Sequence, residues 1–163
     1  MSAPDTAAAI GPRKFLLVVD QSAELRAAVR FACRRAVRTA GIVALFHAVP
    51  KRDFHHFASI GELMEREARD EAEQLMQAIA NDIHRITGSY PAVYLREGDT
   101  MEQLLSVIAA DPSISVLVLG AGTGPEGPGA IVSALSGNLA GKIRIPVTIV
   151  PGHLTDAQID SLT

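Results

Sequence analysis

The sequence predicts an α/β domain, a single doubly wound parallel sheet of five strands with helices on both faces, and three observations carry that prediction. Short apolar runs alternate with longer amphipathic ones from Lys14 to Pro151, the rhythm of strands joined by covering helices. Two of the runs, FLLVV (Phe15–Val19) and SVLVLG (Ser115–Gly120), are almost continuously apolar, as strands buried on both faces must be. The chain has 163 residues, 48% of them hydrophobic, enough for one core of ordinary size. Residues 1–12 read as a flexible Ala-rich tail, 13–151 as the α/β domain, and 152–163 as a tail or short helix.

The first strand closes at Asp20-Gln21-Ser22, with Ser22 placed to cap a helix that runs to Thr39 and stops at Gly41. A second strand, Ile42–Ala48, leads into the polar loop VPKRDFHHFA. The following helix spans about Ile60 to Ile86; Ile60, Leu63, Met64, Ala68, Ala72, Leu75, Ile79, Ile83 and Ile86 mark one buried stripe, and Gly88 ends it. AVYLRE (Ala92–Glu97) alternates and belongs near a sheet edge. Thr100 to Gln103 has capping-box spacing and opens a helix that must end before Pro112. After the fourth strand and a glycine-rich loop, a helical region ends near Arg144, Pro146 intervenes, and VTIV forms the last strand. The tail carries a second capping box, Thr155 to Gln158.

Charge and composition narrow the function. Lys plus Arg total 15 against 18 for Asp plus Glu, a net charge of −3 that offers no general attraction to nucleic acid or acidic membranes. The densest basic group, Arg26, Arg30, Arg34, Arg35 and Arg38, recurs at helical spacing and reads as a solvated helix face. No run approaches 18 apolar residues, and the first residues lack the basic start and apolar stretch of a secretory signal. The single cysteine, Cys33, cannot form an intrachain disulfide and reads as a buried thiol, which suits a reducing cytoplasm. His47, inside an apolar strand, reads as a hydrogen-bonded core histidine, and the pair His55-His56 as a solvated loop rather than metal ligands.

The stretch GTGPEGPGAIVSALSGN, Gly122–Asn138, concentrates bare backbone beside the fourth strand. In a doubly wound sheet, ligands bind beyond the carboxyl ends of the strands where the strand order reverses. If the first and fourth strands are neighbours, that point lies between Asp20 and Gly120, with this loop over it. A P-loop is excluded, because the stretch Gly137 to Lys142 has one residue too few and Ile143 where Ser or Thr is needed. Gly122, Gly124 and Gly127 spell G-x-G-x-x-G, but Pro125 and Pro128 interrupt the strand-to-helix passage a dinucleotide site requires.

A third spacing remains: Gly124, two residues, Gly127, nine residues, Gly137, then Asn138. In that order, with VVDQS, LFHAVP and GNLAGKIRIPVTIVP, it resembles the nucleotide-binding motif of the universal stress protein family, over nearly the whole chain from Lys14 to Pro151. The resemblance implies the Rossmann-like fold of the adenine nucleotide alpha hydrolase kind. Its implied ligand is ATP or another adenine nucleotide, with magnesium a candidate companion. It implies that Asp20 faces base or ribose, that the backbone at Ala48 meets the adenine edge, and that Gly120, Gly122, Gly124, Gly127, Gly137 and Asn138 hold ribose and phosphates. Val19 and Leu139 flank these positions and complete the candidate set. It also implies a homodimer paired through the last strand, serving a stress-responsive regulatory role with an unidentified protein partner. The sequence departs from the family pattern at Asn138, where Ser or Thr is usual, at Gln21, where glycine is common, and in the first motif glycine, which either Gly120 or Gly124 supplies.

Physical chemistry supports the same residues: Gly137 permits close approach, and a helix starting at Asn138 would turn free N–H groups toward an anion. Three functions stay open: an adenine-nucleotide-binding regulatory module, a nucleotide-free interaction module of the same fold, and a weak ATP hydrolase. Little favours the last, since Lys142 is the only lysine near the glycine motif.

Overall fold

A computed structural model describes residues 11–51 and 58–163; His55 and His56 and most of the N-terminal tail lie outside them. Five strands, β1 (Lys14–Val18), β2 (Ile42–Val49), β3 (Ala92–Glu97), β4 (Ile114–Ala121) and β5 (Val147–Pro151), form one sheet in the order β3-β2-β1-β4-β5. Every neighbouring pair is parallel. The doubly wound sheet expected from the sequence is therefore the observed fold. The two most apolar strands, β1 and β4, lie side by side in its interior, and β3 stands at an edge.

Alternate residues of the strands feed two cores. Phe15 and Leu17 of β1 and Val19 just past its end, with Val43, Leu45 and Val118, face helices α1 (Leu25–Thr39), α2 (Ala58–Thr87) and α5 (Asp156–Leu162). Leu16, Val18, Phe46, Leu117 and Leu119 face α3 (Thr100–Ala110) and α4 (Ala130–Leu135). The period of two along each strand places both sets without conflict.

Several boundaries differ from the sequence expectation, each for a local reason. Helix α1 begins at Leu25, with Glu24 at the cap position, because Ser22 is otherwise engaged: its N–H and hydroxyl both donate to Asp20 Oδ1, at 2.9 and 2.6 Å. Ala40, φ 55°, takes the left-handed position that ends the helix, ahead of Gly41. Helix α3 is capped by Asp99, whose carboxylate accepts from the Glu102 N–H at 2.9 Å, one residue before the Thr100 expected to do so. No α-helix starts at Asn138. The apolar residues Ile131, Val132 and Leu135 form α4 against the core earlier, and the chain then turns through Gly137 and Asn138 into a single 3₁₀ turn, Ala140–Lys142.

The stripe on α2 is buried only in part. Ala72, Met76, Ala80 and Ile83 pack against the core, while Ile60, Leu63 and Met64 stay exposed. A helix of 30 residues reaches roughly 45 Å, against about 26 Å for the eight residues of β2, so its first turns run past the sheet. The arginine face of α1 is not simply solvated either. Arg26 and Arg30 pair with Asp156, and Arg30 and Arg34 with Asp160, so α5 docks on it as part of the fold.

Candidate functional site

β1 leads into α1 on one face of the sheet, and β4 leads through the glycine-rich loop into α4 on the other. Their carboxyl ends part, and between them lies a cleft of about 470 Å³. That is within the roughly 300–1,000 Å³ usual for small-molecule sites. Its apolar walls come from Val18 and Val19, from Phe46, from Met101 at the start of α3, from Leu119, and from Ile131 and Val132 of α4. Its polar groups are Asp20, Ser22, Glu24, His47, Asp99 and Thr100.

Of the residues singled out in the sequence, Val19, Asp20, Ala48 and Gly120 line this cleft. Asp20 is exposed at the mouth, with Oδ1 occupied by Ser22. The Val19 N–H bonds to the Phe46 carbonyl at 2.8 Å, so Phe46 turns its backbone toward β1. Ala48, two residues on, turns its N–H and C=O the same way, where β1 has already left the sheet. Those two groups offer one donor and one acceptor to a planar guest. His47 Nδ1 lies 2.7 Å from the Val19 carbonyl, which can only accept, so Nδ1 carries the proton and braces the strand ends.

The remaining candidates stand elsewhere. Gly122, Gly124 and Gly127 form the outer loop. Gly122 donates its N–H to the Pro128 carbonyl at 3.3 Å and Gly127 to that of Gly124 at 3.2 Å, with Gly127 at φ 87°. Gly137 and Asn138 lie in the exposed turn after α4, and Leu139 packs on the core beside it. None of these six is among the cleft-lining residues.

Sequence reasoning missed Glu24, Asp99, Thr100 and the start of α4. The signal for Asp99 and Thr100 was topological: every helix in a parallel sheet starts at the edge where the strands end, so α3 opens onto the same cleft. No local pattern announces Glu24, which is brought in by contacts with Gly120, Gly122 and Gly152.

The fold and the cleft together define a doubly wound α/β domain with a small-molecule cavity at its switch point. The chain belongs to the universal stress protein family, whose sequence profile matches residues 12–151. The fold resembles the universal stress protein UspA from Lactobacillus plantarum, with a TM-score of 0.69 at 16% identity over 85% of this chain and 97% of that one. It also resembles the universal stress protein from Archaeoglobus fulgidus in complex with dAMP, with a TM-score of 0.58 at 17% identity, covering 85% and 97% of the two chains. A universal stress protein in complex with cAMP matches with a TM-score of 0.55 at 16% identity and the same coverage. No curated protein matches the chain by sequence. Among the described residues, no helix is long and apolar enough to cross a membrane.

Proposed function

We propose that this chain binds an adenine nucleotide, ATP or a relative of it, in the cleft between β1 and β4 and acts as a dimeric regulatory module in a cytoplasmic stress response. One observation carries the reading: the cleft at the switch point combines apolar walls with the free backbone edge of Ala48 and the carboxylate of Asp20. An apolar slot receives the flat base, a donor and acceptor pair meets its edge, and a carboxylate accepts from ribose hydroxyls. The dAMP and cAMP held by two proteins of similar fold support the choice of adenine. β5 supports the dimer: it is an edge strand whose Ile149 is 43% exposed, the kind of surface that pairs with another chain.

Two measurements test this. Denaturing the purified protein should release an adenine nucleotide, or ATP or dAMP added to stripped, folded protein should give saturable heat. Light scattering should report a dimer that Ile149→Lys converts to monomer.

A second reading, a nucleotide-free interaction module, draws on the position of Gly137 and Asn138 in an exposed turn away from the cleft. No released nucleotide and no heat at millimolar ligand would favour it.

A further inference from the structure

Resting on the adenine-binding reading above, we propose that Glu24 makes the cleft select its ligand by charge, taking an adenine nucleoside or monophosphate in preference to the polyphosphates ADP and ATP.

The charges facing the cleft are of one sign. Among the described residues that line it are three carboxylates, Asp20, Glu24 and Asp99, and no lysine or arginine. Two of the three are held by local donors, Asp20 by Ser22 and Asp99 by the Glu102 amide. Among the described residues the Glu24 carboxylate makes no hydrogen bond or ion pair. Its side chain nevertheless packs against the bare backbone of Gly152 and Gly122, and its main chain against Gly120. A Cβ on Gly120 would stand 2.7 Å from the Glu24 carbonyl oxygen, and one on Gly152 would stand 2.5 Å from Glu24 Cγ. A Cβ on Gly122 would stand 3.3 Å from Glu24 Oε1. The bare backbone of Gly152 and Gly122 therefore makes room for the Glu24 side chain, a residue that lines the cleft.

Part of the glycine-rich loop's donor capacity is also spent or missing. Pro125 and Pro128 have no N–H to give. The N–H groups of Gly122 and Gly127 are already bonded within the loop, to Pro128 and Gly124. Helix α4, with six residues, sets only a partial positive charge against three full negative ones. Each added phosphate thus meets three carboxylates against the few free N–H groups at the start of α4, whereas base and ribose meet apolar walls and acceptors.

The experiment measures adenosine, AMP, ADP and ATP by calorimetry at matched ionic strength, in EDTA and again with excess magnesium, on wild-type protein and Glu24→Gln. Affinity is expected to fall along the series in both conditions. Glu24→Gln should raise the ATP-to-adenosine affinity ratio about fivefold or more, the scale of one unscreened like-charge contact at a half-buried site. A second readout needs no variant: rising sodium chloride should strengthen ATP binding, because it screens repulsion, and leave adenosine nearly constant. ATP binding tighter than adenosine, or weakening with salt, overturns the charge inference while leaving adenine binding intact. Failure of all four compounds to bind folded protein overturns both.

Discussion

Arg30 holds Asp160 through two parallel hydrogen bonds, Nε to Oδ1 at 2.8 Å and Nη2 to Oδ2 at 2.7 Å, and so ties the last helix to the first across 130 residues of sequence. Helix α5 lies beyond residues 12–151 that match the family, yet Ile159 is fully buried in the core beneath it. Its capping box is complete, with Gln158 N–H to Thr155 Oγ1 at 3.2 Å and Thr155 N–H to Gln158 Oε1 at 2.9 Å. The bidentate pair orients the helix, and the apolar anchor supplies most of the energy. Ile159→Ala should lower unfolding stability by about 2–4 kcal/mol in urea titrations. A loss under about 0.5 kcal/mol, the ordinary surface value, would mean α5 is not part of the cooperative core.

At the opposite end of the sheet from the cleft, Asp111 collects four donors from three residues. The Lys14 ammonium donates at 2.6 Å, the Tyr94 hydroxyl donates to the same oxygen, and Ser113 donates through Oγ and N–H to the other. Burial pushes the Asp111 carboxyl up, but the bonds from Lys14, Ser113 and Tyr94 outweigh it and hold the group well below the usual carboxylate range. A depressed folded-state value gives stability that is complete above the unfolded value near roughly pH 4 and is lost as pH falls toward the folded one. Asp111→Asn should cost about 1–2 kcal/mol at neutral pH and remove part of the acid sensitivity. Urea midpoints between pH 7 and pH 3 check it, and parallel curves for the two proteins would refute the assignment.

What the sequence made legible was whatever is encoded locally. β1 and β4 could be read because a strand buried on both faces needs an unbroken apolar run, and the Thr155–Gln158 box because both its bonds close within three residues. The cleft followed from strand order, so Val19, Asp20, Ala48 and Gly120 fall on its wall. Asp99 was missed as a cap because Thr100, beside it, offers a competing oxygen at equally good spacing. The arginine face looked solvated because its partners, Asp156 and Asp160, stand 130 residues away in sequence from Arg26 and Arg30. Glycine spacing could not tell which glycines border the cleft: Gly120 does, while Gly122, Gly124, Gly127 and Gly137 do not, because spacing along the chain carries no strand order.

Cys33 should be inert in the folded protein. Burial pushes its thiol up to about 12, and Arg30 nearby draws it back only in part. The nucleophile is the thiolate, so almost none is present at pH 8 and the sulfur is shielded from solvent besides. A disulfide reagent at pH 8 should modify it no faster than the chain opens, with the rate rising in step with urea as stability falls. Immediate stoichiometric reaction in native buffer would place the thiol at the surface.

The strand-exit and loop glycines should separate by what surrounds them. In Gly120→Ala the new carbon would approach the Glu24 carbonyl oxygen to 2.7 Å and its carbonyl carbon to 3.0 Å, and backbone cannot swing aside. Overpacking of that kind costs about 1–3 kcal/mol. At Gly124 nothing lies within 4 Å and φ is not left-handed, so Gly124→Ala should be neutral or stabilise by up to about 1 kcal/mol through the unfolded chain. Gly127 has equal space but φ 87°, so Gly127→Ala should cost about 1 kcal/mol from backbone strain alone. Urea titration of the three variants should rank them with Gly120→Ala least stable and Gly124→Ala most stable. Equal losses at all three would mean that the loop packs against Glu24 no more closely at the strand end than at its tip.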